Sequence, residues 1–116
     1  MPIPGDGQHP VSSAVFEEMV TVLGDLPDVA LGRKFGRWCL KRQGVAFIVL
    51  DQHELAFRVG PSAQRLVAEY HLARLWNPFG YRRAKLSWVV CPVCDSELVA
   101  EAGVIAYVTV GAADAR

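Results

Sequence analysis

Cysteine is scarce in this chain, and long apolar runs are missing altogether. Three cysteines, an odd number, argue against the paired framework of a small secreted domain. The longest uninterrupted apolar stretches are a handful of residues, far short of the ~20 that cross a bilayer, so no membrane partner is expected. The opening "MPIPGDGQHP" has no basic segment and no apolar one, so no secretory leader is expected and the chain is read as cytoplasmic. G-x-S-x-G, a Walker loop and a dinucleotide fingerprint are also lacking; "GRKFG" is too short and lacks the strand–helix setting such loops need. His9, His53 and His71 show no H-x-x-x-H spacing and are read as solvent-exposed. Glu17 and Glu18 are sequence neighbours about 100° apart on a helix, which reads as a solvated face rather than a catalytic pair. Nothing assembles into a nucleophile, base and oxyanion hole. The expectation is a protein that is not an enzyme, with no cofactor and no small-molecule substrate.

What the sequence does contain is core material. Of 116 residues, 52% are hydrophobic and 21% charged, the composition of one globular domain. A chain of this size buries roughly two-thirds of its unfolded surface, enough for a core. The isoelectric point is about 6.8 and the formal net charge is zero, yet the charges are segregated. Residues 1–30 carry five acids and no Lys or Arg, residues 31–93 carry eleven bases against three acids, and residues 94–116 carry four acids against Arg116 alone. An electrically two-sided molecule is expected, with acidic first and last helices and basic strands and loops.

Pro2, Pro4, Gly5, Gly7 and Pro10 mark residues 1–10 as a tail; one domain is expected over 11–110, with a second short tail at 111–116. In "SSAVFEEMVTVLGDLPDV", Ser12 or Ser13 can cap a helix. Its Val15, Met19, Val22, Leu23 and Leu26 recur at helical spacing as an inward stripe, and Gly24 and Pro27 mark its stop. From Phe35 to Val59 the period becomes two: "RWCLK" (37–41), "VAFIVL" (45–50) and "LAFRV" (55–59) are predicted strands, separated by turn-like "RQG" and "DQHE". "VAFIVL" is apolar on both faces and is placed centrally in the sheet. Gly60-Pro61-Ser62 then starts a second helix, with Leu66, Val67, Tyr70 and Ala73 inward. "NPFG" (77–80) is a turn, "KLSWVV" (85–90) a fourth strand, and a last helix from Asp95 or Ser96 buries Leu98, Ala102, Ile105 and Ala106. This α-β3-α-β-α order predicts an α+β two-layer sandwich, an antiparallel sheet of four or five strands with three helices. If the helices share one face, the opposite side or the strand ends should be positive.

Two constellations invite chemistry. Cys91 and Cys94 form a C-P-V-C unit at a strand–helix junction, the setting of reactive thiol pairs and of half a zinc site. Cys91, however, lies on the strand, Asp95 and Glu97 crowd the helix end, and no βαβ unit surrounds the motif. Zinc would need a second ligand pair; only Cys39 with a distant histidine is on offer. Structural packing is the favoured reading of both cysteines, with a thiol redox role as the disfavoured one. Basic residues make the second constellation. Arg33, Lys34, Arg37, Lys41 and Arg42 are interleaved with Phe35 and Trp38, and Arg82, Arg83 and Lys85 lie beside Phe79, Tyr81 and Trp88. Cations with aromatic side chains suit nucleic-acid or anion contact. Against this, strand aromatics are usually core, and the isoelectric point is low for a nucleic-acid domain.

"LPDV", "GRKFGRWCLK", "GVAF", "ELAFRVG" running into a helix, "NPFG", and Arg83 with Trp88-Val-Val before the closing helix occur in an order that resembles the N-terminal domain of the TfoX/Sxy family. MmcQ/YjbR-like proteins have a similar layout. The resemblance implies a two-layer α+β fold like that of small secretion chaperones, often dimeric, and a link to competence regulation in some bacteria without a defined chemistry. Proposals of DNA binding attach to the YjbR-like relatives. Departures are Lys85, where many members have an apolar residue, and Cys91 and Cys94, at positions usually held by Val and other residues. Together these readings predict a non-enzymatic protein-interaction or regulatory module, expected as a homodimer through an exposed edge of "LAFRV" or "RWCLK". A nucleic-acid binder is the alternative.

Overall fold

The computed structural model describes residues 10–34, 36–51, 54–77, 87–92 and 94–114. Helix α1 (Pro10–Leu23) precedes four consecutive strands, β1 (Val29–Lys34), β2 (Arg37–Arg42), β3 (Val45–Asp51) and β4 (Glu54–Arg58). A single 3₁₀ turn (Gly60–Ser62) leads into α2 (Ala63–Glu69), followed by the two-residue β5 (Arg74–Leu75), β6 (Trp88–Pro92) and α3 (Ser96–Asp114). All pairings are antiparallel, and the strand order is β1-β2-β3-β4-β6-β5. Side chains from all three helices join one core on one face of the sheet, so the domain is the α+β two-layer sandwich. The described residues form six strands because β1 and β5 join the four that alternation marks. Val29–Lys34 has a single apolar pair, Val29 and Leu31, at period two, too little to mark a strand. Among the described residues no helix is long and apolar enough to cross a membrane.

The pleat sorts the strand residues as their alternation requires. Leu40, Leu55, Phe57, Val59, Val89 and Cys91 enter the helix-side core, whereas Cys39, Ala56, Trp88 and Val90 enter a second buried cluster on the opposite face. Strand β3 supplies both clusters through an irregularity. Leu40 pairs with Ile48 but Lys41 pairs with Ala46, which leaves Phe47 over as the extra residue of a bulge. Consecutive Phe47 and Ile48 therefore both face the helices, while Ala46 and Val49 face the other way. Next to the bulge, β2 and β3 are joined by Gln43 and Gly44 at φ of 51° and 83°, the two left-handed positions of a type I′ hairpin turn.

Several sequence expectations change here. "RWCLK" and "LAFRV" are not edges: β2 lies between β1 and β3, and β4 between β3 and β6. Among the described residues the edges are β1 and β5, so neither strand named as a dimer edge is free to pair with a second chain. In α1 the buried residue is Phe16, and Val22 points outward, 70% exposed. Helix α2 ends at Glu69, and its buried residues are Ala63 and Leu66; Ala73 is buried beyond the helix end. Helix α3 continues to Asp114, so residues 111–114 are helical rather than tail. Finally, the face opposite the helices is apolar at its centre, and the strand bases Lys34, Arg37, Lys41, Arg58 and Arg74 lie on that same side around it. Trp76 and Trp88 pack there with ring centroids 5.1 Å apart, and the Trp76 Nε1–H donates to Asp51 at 2.8 Å.

Candidate functional site

The C-P-V-C unit divides between two environments. Cys91 sits on β6 opposite Leu55, fully buried in the helix-side core. Burial pushes its thiol up to about 12, with Asp95 and Glu54 adding to the effect. Cys94 is exposed in the turn before α3. The positive end of that helix is taken by Asp95, whose carboxylate accepts the Leu98 backbone N–H at 3.1 Å. Cys39 belongs to the cluster on the other face of the sheet, and burial raises its thiol as well. Among the described residues, no group of three or more His, Cys, Asp or Glu could hold a metal ion.

Basic residues 33–42 are close in sequence but are split by the pleat. Arg33 lies across from Trp38, on the face that carries Leu40, while Lys34, Arg37 and Lys41 share the Cys39 side. Several are already engaged. Arg33 donates to the Gly36 carbonyl at 2.8 Å and lies 4.8 Å from the Trp38 ring centroid. Arg37 pairs with Asp51 at 3.0 Å. Arg42 is held most firmly: its Nε donates to Asp28 at 2.6 Å, its Nη1 donates to the Tyr107 carbonyl at 2.7 Å, and its guanidinium stacks 3.8 Å from the Tyr107 ring centroid. The Arg42 hydrogen bond holds the Asp28 carboxyl below its ordinary value. Arg42 thus ties α3 to the β2–β3 turn. Lys41 lays its stem over the gap left by Gly32. No one surface gathers this cluster. Arg82, Arg83 and Lys85, with Phe79 and Tyr81, lie outside the described residues, as do His9 and His53.

The feature that remains is on the helical layer. Helices α1 and α3 flank a shared groove and run the same way, since Val15 lines one cavity with Ser96 and Val99 while Leu23 lines the next with Tyr107. Between them runs an open groove with a cavity of about 300 Å³ floored by Met19, Val99 and Gly103, and it continues past Glu18 into one of about 250 Å³ toward Val15. On its crests Val22 is 70% and Val104 66% exposed, and Val108, one turn on, is 57% exposed. Of the four large hydrophobic residues exposed among the described ones, only Leu72 lies elsewhere.

The chain matches no family model, no curated protein and no solved structure.

Sequence reasoning missed this face because it sought one apolar stripe per helix. The available signal was excess. Helix α3 has Leu98, Ala102 and Ala106 inward and also Val104 and Val108 on its outer side, beside Glu97 and Glu101, so its apolar residues extend beyond the core stripe. Apolar residues beyond the stripe that the core needs are surface left for a second neighbour. On its far flank α3 is held by polar contacts: the Tyr70 hydroxyl donates to Glu101 at 2.7 Å, and Arg65 pairs with the same carboxylate at 3.1 Å.

Proposed function

We propose that this chain is a non-enzymatic, TfoX-like protein-interaction module that engages its partner through the α1–α3 face. The observation that carries the reading is the row of exposed valines, Val22, Val104 and Val108, beside an open apolar groove. Scattered exposed apolar residues need no explanation, but contiguous ones on two neighbouring helices are the mark of a docking surface. Burial of one such valine is worth ~1.5–3 kcal/mol, so covering three of them is enough to decide whether a partner stays bound. A role without chemistry agrees with the buried Cys91 and with cations taken up in pairs such as Arg42–Asp28. The family resemblance supports a regulatory setting in the bacterial cytoplasm.

Position-specific photocrosslinking in the cells that make the protein tests this. A crosslinking residue in place of Val104 should give a discrete heavier adduct containing a second polypeptide, and the same residue in place of Gln64, exposed on α2, should give none. Equal adducts at both positions, or none at Val104, would refute the reading.

A further inference from the structure

We infer that the occupant of the α1–α3 groove is a cationic amphipathic helix of another protein. This rests on the docking reading above and adds its chemistry. Length comes first. From Ser96 to Tyr107 the groove follows α3 for about 16 Å, at ~1.5 Å per residue. That is the span of three helical turns, and it offers apolar contact at every turn. Shape comes second. Gly103 and Ala100 on α3 are small, so the floor lies low between the Val22 and Val104 crests and a second backbone can approach closely.

Charge selects among helices. Neither α1 nor α3 contains a Lys or Arg. Glu18 lines the groove itself, and Glu97 is exposed on the outer side of α3, near the same end. The base nearest to Tyr107 at the other end, Arg42, is already neutralised by Asp28. The field over this apolar surface is therefore negative, and an incoming helix with Lys or Arg flanking its apolar stripe is both steered and held. Two other occupants fit less well. A second copy would bring Glu18 and Glu97 of both chains to the interface with no Lys or Arg on either helix to offset them. Residues 1–9 of this chain hold Asp6 and no Lys or Arg, so they offer the rim less charge than a Lys-rich or Arg-rich helix.

The experiment uses the full chain and two synthetic 14-residue helical peptides with one shared leucine stripe, flanked in one by Lys and in the other by Glu. Fluorescence anisotropy at about 150 mM salt, where charges still act over about 8 Å, reads both. The Lys peptide should bind at least about tenfold tighter. Glu18→Lys/Glu97→Lys should reverse that preference, and Val22→Ser/Val104→Ser should weaken both peptides. Glu97 lies in the first turn of α3, so its reversal should lower the melting temperature by a few degrees at most, while helical circular dichroism shows that the charge variant is folded. Equal binding of the two peptides, with loss in the valine variant, would overturn the cationic occupant and leave helix docking standing. Binding of neither peptide would overturn the inference, while an adduct at Val104 would still uphold the interaction reading. Sedimentation showing self-association that Val22→Ser/Val104→Ser abolishes would make a second copy the occupant, and overturn it too.

Discussion

Two glycines of one helix should respond in opposite directions to the same added methyl group. Gly103 and Gly111 are both interior to α3, where glycine costs about 1 kcal/mol relative to alanine. At Gly103 an added Cβ would meet Phe57 Cε1 at 3.7 Å and Met19 Cε at 3.8 Å, ordinary contact distances. Gly103→Ala therefore gains the helix propensity and part of the ~0.8 kcal/mol of a buried methyl, without overpacking. The sum is about 1–1.5 kcal/mol, which raises Tm by roughly 4–7 °C for a domain of this size. At Gly111 an added Cβ would lie 2.0 Å from Arg42 Nη1 and 2.5 Å from its Cζ. That guanidinium cannot swing aside freely, because Asp28, the Tyr107 carbonyl and the Tyr107 ring all hold it. Gly111→Ala should lower Tm despite the better propensity. Thermal unfolding followed by far-UV circular dichroism measures both. A drop in Tm for Gly103→Ala, or a Gly111→Ala variant as stable as the parent, would refute the packing on which the argument rests.

Other outcomes follow from the same contacts. Gln43 holds a left-handed conformation that Asn adopts more readily, so Gln43→Asn should stabilise by about 0.5–1 kcal/mol in urea unfolding. A neutral or negative effect would refute the type I′ assignment. Cys91 and Tyr70 are both raised to about 12 in the folded chain, the first chiefly by burial and the second chiefly by its hydrogen bond to Glu101. Protons are then held more tightly folded than unfolded, so the stability these groups contribute is complete below pH 9.0 and is lost as pH climbs toward 12. Cys91→Val should flatten that decline, and an unchanged slope would refute it; in native protein at neutral pH a thiol reagent should modify Cys94 fast and Cys39 and Cys91 slowly. With its cations divided and paired, the chain should bind a short DNA duplex no tighter than about 1 μM at physiological salt. Submicromolar, steeply salt-dependent binding that Arg33→Glu/Lys34→Glu or Arg82→Glu/Arg83→Glu removes would restore the nucleic-acid reading.

The sheet was legible where side chains alternate by polarity. "LAFRV" assigns Leu55, Phe57 and Val59 to one face and Ala56 to the other, and the two buried clusters agree. Bulges are not legible this way: Phe47 and Ile48 share a face only because β3 carries one residue more than β2 across from it. Strand β1 escaped for a different reason, since its pairing with β2 is made by backbone groups and its residues from Ala30 to Lys34 are mostly polar, small or exposed. Cys91 was legible as packing from its strand position, but the same reading of Cys94 does not hold, because Pro92 ends the strand and leaves that residue exposed in the turn before α3. The basic cluster was legible as composition and not as geometry. Sequence shows five cations within ten residues; only the pleat and the partners Asp28 and Asp51 show that they are shared out between two faces. The groove is a property of two helices 73 residues apart at their nearest lining residues, Leu23 and Ser96, and no local pattern describes the space between them.

The tie between the β2–β3 turn and α3 has a consequence for the order in which the chain can be completed. The Tyr107 hydroxyl meets Asp28 across 79 positions, and Arg42 meets the Tyr107 carbonyl across 65. During synthesis the four-strand meander leaves the ribosome well before α3, so Leu55 and Phe57 reach water with their lid still unmade. Closing contacts of such long range are slow to form. Until Tyr107 has emerged, the nascent chain presents an apolar sheet to every holdase in its surroundings, and truncation within α3 should leave it there.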